Sequence, residues 1–170
     1  MIAKPRARDL KLICSYAGKV LIGVGLLMAL PLLAALTFRE WASAVDFLIG
    51  RGASLLAGCT LAWLGVGEGR PSWLHGMVTA GVSWLAAMGV AAIPYWLSGH
   101  YRSYLDCMFD VMSGLTTTGL TLIQDLDHVT ASLNTWRHLL TFVGGQGIIV
   151  LALAFLSTTA GGGYSLYAGE

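Results

Sequence analysis

The chain has 170 residues, 56% of them hydrophobic and 11% charged, with a formal net charge of +1. An ordinary soluble domain is about 25% charged, so this composition excludes a water-soluble globular protein and indicates several membrane crossings. The balanced charge leaves no basic footprint for nucleic acid, and Cys14, Cys59 and Cys107 lack the CxxC spacing of a metal or redox site.

The N-terminus carries Lys4, Arg6, Arg8, Lys11 and Lys19 against one acid, Asp9. Positive charge flanking a first apolar span marks the cytoplasmic side. Residues 20–38 then run for 19 positions without Asp, Glu, Lys or Arg. That is longer than a signal-peptide core, so the expectation is a retained first span over residues 17–38, kinked at Pro31. Arg39-Glu40-Trp41 marks the outer interface. A second span is expected over residues 45–66, with Asp46 and Arg51 in its first turns, and a turn over Gly65–Pro71 returns the chain. A third span is expected over residues 72–97, closed by Pro94-Tyr95-Trp96, and a fourth over residues 136–156. Basic residues number six on the expected inner side (Lys4, Arg6, Arg8, Lys11, Lys19 and Arg70) and four on the outer side (Arg39, Arg51, Arg102 and Arg137). Both termini are therefore expected in the cytoplasm.

Between the third and fourth spans lies Phe109-Asp110-Val111-Met112-Ser113-Gly114-Leu115-Thr116-Thr117-Thr118-Gly119-Leu120-Thr121. A helix over residues 105–115 would be only about 16 Å long at 1.5 Å per residue, against a hydrocarbon core of about 30 Å. It must turn back halfway, and backbone leaving a helix at that depth has to be buried in protein or line a wet cavity. The β-branched threonines predict an extended segment over residues 116–121, with Gly119 able to enter positive φ without a steric penalty. Carbonyls of such a segment can replace the water around a dehydrated cation, and the negative end of the short helix would face it. The expected cation-binding atoms are carbonyls of Thr117, Thr118 and Gly119, with Thr116 and Leu120 next; Thr117 and Thr118 are the expected metal contacts.

Asp106 and Asp110, four apart, share one face of the short helix, where capping and packing compete with attraction of a cation. Asp125 and Asp127 are candidates for a negative outer vestibule, with His128 beside them. Arg137 is expected to pair with an outer acid. Gly144-Gly145-Gln146-Gly147 lies inside an apolar run and follows no strand, so it is a close-packing surface for a helix rather than a nucleotide loop. No HExxH or GxSxG motif occurs, and His75, His100, His128 and His138 are scattered. An enzyme is not expected, and no cofactor is.

Phe109-Asp110, Ser113 to Gly119, Thr135-Trp136-Arg137 and Val143 to Val150 together resemble the Trk/Ktr/HKT superfamily of potassium transporters, and most of all the first pore repeat of a Trk-type potassium-uptake membrane subunit. The likeness covers residues 75–167; residues 1–74 match only in hydropathy layout. It implies an all-α membrane protein with four transmembrane helices plus one re-entrant pore helix and filter loop. The division is a hairpin over residues 1–70 and one M1-pore-M2 repeat over residues 71–170, with M1 72–97, pore helix 105–115, filter 116–121 and M2 136–156. Gly119 takes the place of the family's filter glycine, whereas Gln146 stands where the family commonly has Met. The resemblance further implies potassium as the transported ion, a bacterial inner membrane, dimers of full transporters and a cytosolic nucleotide-binding regulatory subunit. About four loops are needed to enclose an ion, and residues 1–104 hold no second copy of the motif. Three explanations stand open: the N-terminal part of a longer transporter, one half of a split transporter, or a homotetrameric single-repeat channel. A non-transporting membrane assembly partner is the remaining alternative.

Overall fold

The computed structural model describes residues 7–65, 73–147 and 149. Among them every regular element is helical: α1 Ala7–Leu27, α2 Ala29–Thr37, α3 Trp41–Leu64, α4 Trp73–Ala91, α5 Ile93–Leu97, α6 Tyr104–Leu115, and α7 over residues 131–147. The basic residues Lys4, Arg6 and Arg70, the turn over 66–71, and the end of the fourth expected span with Gly161-Gly162-Gly163 lie outside the described residues.

Among the described residues, three helical stretches are long and apolar enough to cross a membrane: Leu10–Thr37, Trp41–Leu64 and Val78–Leu97. The first is interrupted one turn before Pro31. Proline has no N–H to offer the carbonyl four residues back, and the helix breaks at Met28 before resuming as α2. The third expected span is not one helix. Pro94 does to it what Pro31 does to the first, and α4 gives way to α5 at Ala92. A rim of apolar side chains that a soluble protein would bury stays exposed, including Leu56, Trp63, Leu105 and Trp41. Lipid, not water, suits that surface.

In lipid the hydrophobic effect cannot draw helices together, so close packing must. Helices α1 and α3 meet through glycine. A Cβ on Gly18 would sit 2.5 Å from the Ala62 nitrogen and 2.6 Å from the Gly58 carbonyl oxygen, and one on Gly58 would sit 2.8 Å from the Gly18 oxygen. Ser54, fully buried on α3, donates to the Leu21 carbonyl of α1 at 2.8 Å.

The hairpin and the segment after it share one core. Leu21 and Val24 of α1, Met28 at the α1–α2 break and Phe47 of α3 join Tyr95, Val111, Leu133 and Trp136 in a single buried cluster. Trp136 is central: its ring meets Phe47 edge-on at 6.2 Å, and its indole N–H donates to the Ala91 carbonyl at 3.1 Å. A second tie is electrostatic. Glu40, at the α2–α3 corner, accepts from the N–H groups of Ala131 and Ser132 at 2.8 and 3.1 Å. Its carboxylate thus sits on the positive end of α7, and Ser43 next to it donates to Thr130.

Replacing Gly58 by Val will force α1 and α3 apart and lower stability by about 1–3 kcal/mol, the usual cost of overpacking. Gly52→Ala, where an added Cβ meets nothing within 4 Å, will leave the thermal midpoint unchanged or raise it. Thermal unfolding in detergent followed by tryptophan fluorescence checks both, and equal midpoints for the two variants would refute the contact.

Candidate functional site

Helix α6 starts as its sequence demands. Ser103 is an extended N-cap whose hydroxyl accepts from Asp106 N–H at 3.2 Å, and the Asp106 carboxylate accepts from Ser103 N–H at 3.0 Å. This reciprocal capping box fixes the first turn, so Asp106 is a cap. At twelve residues, one more than expected, α6 is about 18 Å long.

Its other end departs from expectation. No strand forms among the described residues, and the threonines do not run extended. Thr116 closes the helix at φ −86°, ψ 3°, and Thr117 is left-handed at φ 57°. Thr118 N–H reaches back to Ser113 O at 2.9 Å, and Thr117 N–H to Gly114 O at 2.9 Å. That pair of bonds is a Schellman cap, whose left-handed position is ordinarily glycine. A β-branched residue there is a true outlier, costing on the order of 1–3 kcal/mol. Propensity for extended backbone lost because the helix end needed its orphan carbonyls satisfied. Gly119 is left-handed as expected, at φ 79°.

Asp110 holds the outgoing limb. It is 5% exposed and accepts three hydrogen bonds: Tyr101 hydroxyl at 2.7 Å, Thr121 hydroxyl at 2.6 Å and Leu122 N–H at 2.8 Å. Burial, reinforced by donation to Asp110, pushes the Tyr101 phenol above the usual tyrosine range, so it stays a donor. Ser113, one turn on, donates to the Leu120 carbonyl at 2.7 Å. The loop is therefore pinned on both sides of Gly119.

Between those pins, Thr117, Thr118, Gly119 and Leu120 are exposed. Among the described residues, the carbonyls of Thr116, Thr117, Thr118 and Gly119 accept no hydrogen bond, whereas that of Leu120 does. The Thr116 hydroxyl is engaged with Met112 O at 2.8 Å and with the Thr118 hydroxyl at 2.8 Å. The result is a short run of unpaired carbonyls just past the negative end of a helix, a geometry suited to a cation.

Helix α7 closes the back. Gly144 is pressed so tightly against the Leu115 carbonyl that a Cβ would overlap it, and a Cβ on Gly145 would touch the Thr117 methyl at 3.5 Å. The close-packing surface read from Gly144-Gly145 thus lies against the end of α6. Gln146 is exposed. Arg137 does not pair with an outer acid: among the described residues it forms no ion pair, and it lines a cavity of about 50 Å³ with Tyr95, Asp110 and Gly119. Asp125 and Asp127 lie on the exposed loop after the pinned segment, and Asp125 meets His128 at 2.7 Å. No group of three or more His, Cys, Asp or Glu among the described residues is placed to hold a metal ion. Sequence reasoning missed Tyr101 and Thr121 as partners of Asp110; a buried carboxylate on a membrane helix was the available signal, because it must find donors.

Two predictions follow from the pinning. Asp110→Ala strands three donors and will cost about 1–3 kcal/mol, while Tyr101→Phe removes one bond and will cost about 1 kcal/mol. Amide exchange at Leu122 should accelerate strongly in the first variant and little in the second; unchanged exchange in Asp110→Ala would refute the clamp. Gly144→Ala will displace α7 from Leu115, and the protein will lose its cooperative melt, whereas Gly147→Ala, in open space, will melt like the parent.

A family model for cation transport proteins of the TrkH type matches residues 53–170. Over 167 residues the chain is 32% identical to the Trk system potassium uptake protein TrkH of Halomonas elongata, covering 95% of this chain and 34% of that protein. It is 34% identical to TrkH of Escherichia coli over 84% of this chain and 30% of that one, and 40% identical to an uncharacterized cation transporter of Methanocaldococcus jannaschii over 56% and 20%. The likeness thus extends into the N-terminal hairpin, beyond hydropathy layout alone, and the chain spans a fifth to about a third of the length of these relatives. With the match covering most of its residues and the Ser113 to Gly119 loop within it, the chain belongs to the TrkH family of cation transport proteins, which are transporters and not enzymes.

Proposed function

We propose that this chain supplies one wall of a potassium-uptake pathway. The observation that carries the reading is the run of carbonyls from Thr116 to Gly119, unpaired among the described residues and lying beyond the C-terminal end of α6, with Thr117, Thr118 and Gly119 exposed. A potassium ion must lose hydration to pass a filter, and a wall of fixed carbonyl oxygens returns the lost coordination. The helix end adds a partial negative charge of roughly one half. Thr117, Thr118 and Gly119 make the direct contacts, with Thr116 next. Leu120 contributes less, since its carbonyl already accepts from Ser113. Potassium is the ion because several relatives are named as potassium uptake proteins.

In this reading α6 is a re-entrant pore helix, α4 with α5 is the first flanking span, and α7 begins a fourth crossing. Residues 1–70 form the hairpin and 71–170 the repeat. Asp125 and Asp127 form the rim of the outer mouth, where two carboxylates raise the local cation concentration within a Debye length of about 8 Å. Both termini face the cytoplasm across a plasma membrane, a reading the Lys4 to Lys19 cluster supports. One loop cannot surround an ion, so about three further walls come from other repeats, in the same polypeptide or in partner chains. A dimer of full transporters and a cytosolic nucleotide-binding subunit are the partners the family resemblance implies.

Potassium uptake in a transport-deficient cell tests this. In the full transporter, Gly119→Ser should lower uptake or potassium preference over sodium by about tenfold, equal to 1.4 kcal/mol, because a side chain at φ 79° is strained. Uptake and selectivity unchanged by the substitution would overturn the filter assignment. Expressing residues 1–170 alone separates assemblies: uptake would show that single repeats assemble into a pore, and its absence that other repeats are required.

A further inference from the structure

Behind the proposed filter wall lies the small cavity of about 50 Å³ between α5, α6, α7 and the Gly119–Leu120 segment. Its lining is unusually polar for a membrane interior. Tyr95 is 1% exposed, and its hydroxyl is buried with no hydrogen-bond partner among the described residues. Arg137 brings up to five donors and is free of any ion pair there. Asp110 spends its two oxygens on Tyr101, Thr121 and Leu122, yet Oδ1 accepts only from Leu122 and keeps a lone pair. A buried hydroxyl left unsatisfied is costly, and a cavity holds water when it exceeds roughly 10–15 Å³ and offers two to four polar partners.

We propose that this cavity is a water-binding site and that Tyr95 and Arg137 are positioning residues, holding the Gly119–Leu120 backbone from behind through one to three resident waters (a capacity of about 50 Å³ divided by roughly 15–30 Å³ per water). The inference rests on the filter reading for its functional half only. The site accounts for the orphaned Tyr95 hydroxyl and for a cationic side chain placed beside the back of a cation pathway. The Tyr95 ring is itself held, tilted at 41° with its centroid 5.4 Å from that of Tyr101, whose hydroxyl is bonded to Asp110. The water therefore joins a network that already grips Thr121 and Leu122, and extends that grip to the residue at φ 79°. Bridging water stabilises nearly as well as a direct bond but tolerates small shifts, which suits a wall that must yield slightly as ions pass.

Water-to-protein polarisation transfer in solid-state NMR of the chain in lipid bilayers tests the site directly. Strong transfer to the Tyr95 hydroxyl and to the Gly119 and Leu120 amides is expected, falling by about half or more in Tyr95→Phe. Tyr104→Phe, which removes a hydroxyl bonded to Gly89 outside the cavity, should leave it unchanged. Absent transfer at Tyr95, or equal transfer in parent and Tyr95→Phe, overturns the water site. In the full transporter Tyr95→Phe should reduce potassium preference over sodium about fivefold, one hydrogen bond's worth, with maximal uptake per inserted molecule retained. A merely structural role would lower insertion and uptake together and leave selectivity alone, which overturns the positioning half. A selectivity loss in Gly119→Ser with a dry cavity overturns this proposal and leaves the filter reading standing. A wet cavity with Gly119→Ser transporting normally overturns the filter reading and leaves the water site standing.

Discussion

Beyond the end of α6 the chain forms no regular element, so its polar groups need partners from elsewhere, and here the Asp110 carboxylate accepts from two of them, Thr121 and Leu122. It lies on α6 itself, one turn before Ser113, and takes its three donors from the loop before the helix and the limb after it. Residues 116–123 have no ladder of their own to hold them. Their shape is imposed from α6, by Asp110 at Thr121 and Leu122, by Ser113 at Leu120, and by Ser113 O, which accepts from both Thr118 and Gly119. A buried carboxylate would be expensive if it were unpaired; with three donors it becomes a clamp.

The clamp explains why strain can persist at Thr117. A left-handed β-branched residue survives only where its surroundings over-determine it. The Schellman bonds fix it from the helix side, and Gly145 allows α7 to approach its methyl closely. Gly144 does the same at Leu115. Among the described residues, the four carbonyls from Thr116 to Gly119 are thus held by a frame that does not use them, which is the preorganisation the proposed cation wall calls for.

The frame extends into the N-terminal helices. Trp136 touches Phe47 and Ala91, and Glu40 caps α7 across ninety residues of sequence. In a membrane, where apolar burial adds little between helices, such specific polar ties and glycine contacts carry the packing. The N-terminal hairpin is thereby part of the scaffold that places α7 behind the loop. Family membership agrees, since the alignment to a TrkH protein runs through the hairpin as well.

Much of this was determined by the sequence alone. Apolar runs marked four spans, three of which are long apolar helices among the described residues, because lipid admits few alternatives to a helix of apolar residues. The short helix was legible to within one residue at its start, with Asp106 near its N-terminal end, and Gly119 marked a positive φ, because helix-end and glycine chemistry act within a few residues; the Ser103 cap was not read. Asp110 stood out as a carboxylate in the short helix, without its donors. What only the tertiary structure decided were relations between distant residues: Glu40 on α7, Arg137 turned toward a cavity and not to an acid, Tyr101 and Thr121 on Asp110. Thr117 shows the physical reason most sharply. Its intrinsic preference is extended, and that preference is worth less than satisfying the end of a helix that has nowhere else to send its carbonyls.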